Sequence, residues 1–239
     1  MLEIEGIVIS EIKYGETSKI INVLANDNKV YGIYCKGANL LKSKFKINLM
    51  MYAKFFIKKK DDKLANLNDI TIINNFKNIQ KEIIKIGYAN YLLDLIKQVN
   101  KEGTSDFLFS YLLNSLEKIN NGLNPKIITS IVELKLLNNL GVAPNLDSCV
   151  NCGDKKSIVT ISSYAGGYLC DKCLKNEKIE SEKTIKLIRL LYFVDIEKID
   201  NIDIKKDVET EVSNFIDDYY DRYTGLYLQS KTFLKSIVK

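Results

Sequence analysis

The chain has 239 residues, 46% apolar and 27% charged, which is enough core-forming material for one large domain or several small ones and too much for a disordered protein. It contains no histidine, which excludes Ser-His-Asp and Cys-His catalytic pairs, histidine general bases and histidine-ligated metals. Lys and Arg number 35 against 30 acids, and Arg189 and Arg222 are the only arginines, so a basic surface here acts through lysine point charges rather than guanidinium forks.

Residues 1–75 read as five short strands. Glu3–Tyr14 alternates apolar and polar residues, Gly15-Glu16 is a turn, Lys19–Ala25 is apolar, Asn26-Asp27-Asn28 is a turn and Val30–Lys36 follows. After a lysine-rich loop, Gly37–Lys46, come Ile47–Ile57, a turn at Lys60-Asp61-Asp62, and Leu64–Ile73. Five short strands hide their edges most economically by closing, and the five-stranded OB-fold is the commonest such barrel; an SH3-like barrel or a meander has the same periodicity.

The positive charge sits in this part of the chain. Residues 1–60 hold eleven lysines against five acids, and the 25 residues from Lys36 to Lys60 hold eight lysines and no acid. Such a field suits a polyanion, whereas the plainer reading is a solvated strand face. The candidate DNA-binding residues are Lys13, Lys36, Lys42, Lys44, Lys46 and Lys54, interleaved with Tyr14, Tyr31, Tyr34, Phe45, Tyr52, Phe55 and Phe56. This is the composition expected where bases stack and phosphates are neutralised, although strand alternation does not separate stacking rings from core rings.

From Phe76 the apolar period becomes helical. A first helix carries Ile79 to Val99, and a second spans about Ser105–Ile119, with Thr104 or Ser105 as its N-cap. A third opens with Asn124 as N-cap and Pro125 at the first helical position and closes with Gly141. Ser181 and Asp207 open two more, ending near Val194 and Tyr223. The apolar stripes on these helices are read as bundle core.

Between the third and fourth helices stand Cys149-Val-Asn-Cys152 and Cys170-Asp-Lys-Cys173, two C-x2-C pairs at the spacing of a tetrahedral zinc site. Gly153 follows the first pair and Gly166-Gly167 precedes the second, so each pair sits by a tight turn, with a zinc-ribbon hairpin between Ser157–Ile161 and Tyr168–Leu169. Four thiolates close the coordination sphere, so one structural Zn²⁺ per chain is expected, with an iron site or two redox dithiols as the alternatives. Lys155, Lys156, Lys172 and Lys175 are close enough in sequence to offset the charge of such a site. Cys35, in an apolar strand, reads as a small buried hydrophobe. The expected organisation is α+β and multidomain. A barrel occupies 1–75, helical segments 76–148 and 179–239, and the zinc-binding insert with its four cysteines 149–178.

No stretch of 18 apolar residues occurs, and the opening Met1-Leu-Glu-Ile-Glu lacks the basic flank and apolar stretch of a signal peptide, so a cytoplasmic chain with reduced thiols and no membrane partner is expected. The carboxylates Asp61-Asp62, Asp217-Asp218 and Asp221 have no histidine or Gly-rich phosphate loop near them. An enzyme or a small-molecule substrate is therefore not expected.

Several local features resemble the bacterial recombination mediator family RecO. These are Tyr14-Gly15-Glu16-Thr17 after the first strand, Lys36-Gly37-Ala38 after the third, the lysine-rich loop with Phe45, Leu140-Gly141-Val142-Ala143-Pro144 ahead of Cys149, Gly166-Gly167 before Cys170, and Leu228-Gln-Ser230-Lys231. The resemblance implies an OB-fold that binds single- and double-stranded DNA, a helical domain, annealing of complementary strands, and cooperation with RecR and the single-strand-binding protein SSB in loading recombinase. Relatives mix Arg with Lys around the barrel loop, and this chain departs from them there. The competing reading is a zinc-ribbon adaptor whose basic barrel binds RNA or an acidic protein.

Overall fold

Leu2–Tyr14 (β1) is a strand of 13 residues, too long for one partner, and it divides its edges between two. Its first half pairs antiparallel with Tyr52–Lys58 (β4), from Leu2 opposite Ile57 to Ile7 opposite Tyr52, and its second half pairs with Ser18–Ala25 (β2), down to Tyr14 opposite Ser18. The register slips between Val8 and Ser10, a bulge that bends β1 around the corner. In the computed structural model, which describes residues 1–58, 64–103 and 106–238, Val30–Cys35 (β3) and Ala65–Asn74 (β5) complete a closed barrel of order β1-β2-β3-β5-β4. The parallel contact between β3 and β5, Ile33 opposite Ala65, gives the OB-fold arrangement that the strand pattern leads one to expect. Alternate residues Ile21, Val23, Ile33, Cys35, Phe55 and Ile57 point inward and fill the interior.

The apolar run expected as one strand from Ile47 is divided in two. Ile47 and Met51 are buried in the barrel core, but the strand starts only at Tyr52. Met50 has φ 69°, and the Met51 carbonyl and Met50 N–H bond to Val8 across the barrel. Ile47, Met50 and Met51 are buried while Asn48 between them is exposed, and the apolar composition of this turn does not distinguish it from a strand. The turn expected at Lys60-Asp61-Asp62 lies outside the described residues.

The chain forms two compact units, Met1–Asn121 with Leu228–Lys239, and Gly122–Tyr227. In the first, α1 (Ile83–Glu102) and α2 (Leu108–Asn120) pack against β1. The helical pattern seen from Phe76 starts late because Phe76 itself is fully buried with φ 47°, and one turn of 3-10 helix at Ile79–Lys81 precedes α1. The cap expected at Thr104 or Ser105 also lies outside the described residues, but Asn28, in the β2–β3 turn, supplies a cap from a distance. Its Oδ1 accepts from Phe109 N at 2.8 Å. A helix absent from the sequence reading, α6 (Gln229–Ile237), returns to lie on α1, where Ser230 Oγ donates to Asp94 at 2.7 Å.

The second unit contains α3 (Pro125–Asn139), the hairpin Ile158–Ser162 (β6) with Gly167–Cys170 (β7), α4 (Glu182–Phe193) and α5 (Lys206–Tyr223). The caps read from sequence hold at α3 and α4. Asn124 accepts from Lys126 N, Gly141 has φ 70° past the end of α3, and Ser181 accepts from Thr184 N. The last long helix starts one residue before Asp207, with Lys205 at its cap and no side-chain cap bond. Because α3 is buried on nearly every side, it is the member around which α4 and α5 pack, and Tyr220 Oη donates to the Glu133 carbonyl at 2.9 Å. Asn124 also donates to Glu209 on α5 at 2.8 Å, so Asn124→Ala should lower stability by about 1 kcal/mol. Urea unfolding of the variant beside Asn124→Ser, which keeps a capping oxygen, checks this.

Candidate metal centre and nucleic-acid interface

Two cysteine pairs separated in sequence are brought together by backbone pairing. Asn145 forms a bridge to Gly167, with Asn145 N–H donating to the Gly166 carbonyl at 3.0 Å and Tyr168 N–H donating to the Asn145 carbonyl at 3.0 Å. Val150 N–H then donates to the Tyr168 carbonyl at 2.9 Å, which lays the Cys149 turn along β7, the strand that ends in Cys170. Only glycine fits at 167, since a Cβ there would lie 2.3 Å from the Asn145 carbonyl oxygen. On the other flank, the Arg189 guanidinium on α4 donates to the Leu146 carbonyl and lies 3.6 Å from Asp147. The first turn is closed by Gly153 N–H to the Cys149 carbonyl and Cys149 N–H to the Asp154 carbonyl. Asp154 caps the residues after it, accepting from Lys156 N and Ser157 N.

The sulphurs of Cys149, Cys152, Cys170 and Cys173 all lie within 4.8 Å of one another, with Cys152 Sγ 3.5 Å from Cys170 Sγ. A tetrahedral ion with sulphur ligands at about 2.3 Å sets its sulphurs about 3.8 Å apart, so the four thiols have the spacing of a single closed site. Cys149 and Cys170 are buried, Cys173 is half-buried and Cys152 is exposed. Burial opposes the Cys149 thiolate, but backbone N–H groups of Cys170, Cys152 and Asn151 outweigh it and bring the thiol down to about 6. Cys173, hydrogen-bonded to the Cys152 and Cys170 sulphurs and partly desolvated, is pushed up to about 12. Four crowded thiols cannot all ionise without a cation among them, and a divalent metal is the group that would let them. The fifth cysteine, Cys35, is fully buried in the barrel and pushed by that burial to about 12, as an inert core residue should be.

The barrel lysines fall into two groups. Lys13 stands opposite Lys19 on β2, and Lys19 stands opposite Cys35 on β3, so Lys13 and Lys36 share one end of the sheet with the start of the β3–β4 loop. That loop carries Lys42, Lys44 and Lys46, all exposed. Among the described residues Lys13, Lys36, Lys42 and Lys46 have no ion pair. Lys44 is 3.2 Å from Asp69, whose carboxyl it holds below the usual range, and Lys54, on β4, is 3.0 Å from Glu3, which raises its ammonium. Lys59 and Lys60, at the end of the acid-free window, lie outside the described residues.

The aromatic residues also separate. Phe55 is core, and Tyr31 and Phe45 pack against it; Tyr52 donates to Glu5 and lies 6.0 Å from Phe109. Tyr14 stands out in solvent, edge-on to Tyr34 at 5.7 Å, with exposed Ile12 two residues before it on β1. Sequence reasoning missed the segment that holds the loop. Gly37 N–H donates to Ser18 Oγ at 3.2 Å, Asn39 donates to the Thr17 and Ser18 carbonyls at 2.8 and 2.9 Å, and the buried Lys19 donates to the Ile47 carbonyl at 2.6 Å. The one available signal was a lysine in register with the inward residues of β2.

The same two parts appear in comparisons with known proteins. Residues 1–76 match the model of the recombination protein O N-terminal domain, and residues 80–232 match that of the C-terminal domain. The DNA repair protein RecO of Bacillus pumilus is 31% identical over 243 residues, covering 99% of this chain and 94% of the relative. That of Bacillus subtilis is 31% identical over 236 residues, covering 96% and 92%.

This chain belongs to the RecO family.

A RecO-family chain with all four cysteines thus has two separate candidate sites, a closed thiol cluster in its second unit and a lysine-rich loop on the barrel of its first. No helix among the described residues is long and apolar enough to cross a membrane.

Proposed function

We propose that this chain is a non-catalytic recombination mediator. In this reading it binds single- and double-stranded DNA through the barrel, anneals complementary strands, and helps load recombinase onto SSB-coated DNA in cytoplasmic recombinational repair. RecR and SSB enter through family membership; the DNA contacts rest on Lys13, Lys36, Lys42 and Lys46, which carry exposed, unpaired charge at one end of an OB-fold. That clustering supplies a surface for a polyanion, and similarity to DNA repair proteins over the whole chain is what favours DNA over the adaptor reading. Lys44 and Lys54 contribute less to the field because Asp69 and Glu3 already neutralise them. Annealing is downhill once strand repulsion is screened, so it needs no nucleotide, and the chain has no Gly-x4-Gly-Lys-Ser/Thr loop to bind one.

Zinc is the ion that best suits four thiols at this spacing. With four protein ligands it would join the Cys149 turn to β7 and leave no open position for chemistry. Purified, reduced protein should contain one zinc per chain by elemental analysis. Cys170→Ser should lose it and destabilise the second unit by roughly 3 kcal/mol or more, and metal-free reduced protein of native stability would sink the assignment.

Mixing labelled complementary strands should show faster pairing with protein than without, whether or not ATP is present. Exchanging both Lys42 and Lys46 for Ala should lower the log-log salt slope of single-strand binding by about 1.4, at about 0.7 per phosphate contact, while Lys44→Ala alone should change it less. Pairing at the spontaneous rate would favour the adaptor.

A further inference from the structure

The tip of the basic loop carries a feature that phosphate binding does not use. Leu41 is 102% exposed and Leu40 53% exposed, in a chain segment from Asn28 to Lys60 that contains no acid. The loop is not slack at this point. Leu40 N–H donates to the Gly37 carbonyl at 3.2 Å and Ser43 N–H donates to the Leu40 carbonyl at 2.9 Å, so Leu41 and Lys42 are the central residues of a tight turn. Behind it, Asn39 is fastened to Thr17 and Ser18. Ahead of it, Phe45 packs on the barrel core and Lys44 lies 3.2 Å from Asp69. The turn therefore projects an apolar side chain from a fixed base, with Lys36 before it in sequence and Lys42 and Lys46 after it.

An occupant must be apolar where Leu41 lands and anionic around it. A nucleic-acid strand meets both demands, because every step between bases is a slot with apolar faces bounded by phosphates. A folded acidic protein would need a ready-made groove to receive a projecting tip. We propose that Leu41, backed by Leu40, inserts between adjacent bases of the bound strand, so that the loop unstacks DNA as well as holding it. The inference rests on the DNA-binding reading above and adds an activity to it. Bases pushed out of their own stack are available to a complementary strand.

The test uses the full chain and a single-stranded oligonucleotide carrying 2-aminopurine, a base analogue that brightens when unstacked. Binding is followed in parallel by fluorescence anisotropy. Wild-type protein should raise the 2-aminopurine emission. Leu41→Ser should keep the melting temperature, because the side chain is fully exposed, and the salt slope, which phosphate contacts set, but at saturating protein should lose the rise. The chain has no tryptophan, so Leu41→Trp introduces a single reporter, which stacking on bases should quench at saturation. Binding without a 2-aminopurine rise, a rise that survives in Leu41→Ser, or unquenched Trp emission at saturation would each overturn the insertion. Absence of wild-type anisotropy change would overturn the DNA-binding reading itself, and the insertion with it.

Discussion

A lysine ammonium taken out of water must find oxygen acceptors or lose its charge, and Lys19 finds two. Its Nζ lies 2.8 Å from Glu11 on β1 and 2.6 Å from the Ile47 carbonyl at the far end of the β3–β4 loop. Glu11 is about half in solvent, so the ion pair is screened; the carbonyl is buried, and desolvation makes that bond the more consequential one. With Thr17 and Ser18 holding the start of the loop, three consecutive residues at the head of β2 fix both ends of a segment that would otherwise wander. The placement of Lys42, Lys46 and Leu41 is inherited from them.

Features set by local chemistry were legible before the fold was known. The Asn124–Pro125 start and Gly141 stop of α3 need only neighbouring residues to act, and so does the Ser181 cap. The two C-x2-C pairs were legible for another reason, since their spacing alone marks four thiols that a fold can gather close enough to hold one ion. Features that depend on a distant partner were not. Asn28 caps α2 across more than eighty residues of chain, and α6 buries only Leu234 among its own residues, relying on α1 for a place to lie. Ile47–Met51 read as strand because Ile47, Leu49, Met50 and Met51 give the run a strand-like apolar composition.

The same limit applied to the candidate DNA interface. Sequence offered six lysines and seven rings as equals, and packing sorted them. Tyr14 ends β1 where the strand has β2 on one side and no longer pairs with β4, whereas Phe55 alternates with Ala53 and Ile57 on the inward face of β4. Among the lysines the decisive neighbours were Asp69, which β5 brings within 3.2 Å of the loop residue Lys44, and Glu3, which β1 brings within 3.0 Å of Lys54. A count of charge by window overstates the field wherever strand pairing returns an acid to the window's surface.

The near absence of arginine is consistent with the strand-annealing role proposed for this surface. A guanidinium fork rewards one geometry, and a complex held that way resists the rearrangement that pairing of two strands demands. An ammonium on a flexible stem tolerates a phosphate that moves, so a loop of lysines can retain a strand while its register changes. Rigidity is then needed only where the loop is rooted, in the Thr17–Lys19 network and in Phe45 against the core, and not at the charged ends. On that proposal, the fixed root and loose contacts would place the demand for order on the protein backbone and leave the bases of a bound strand free to find their complement.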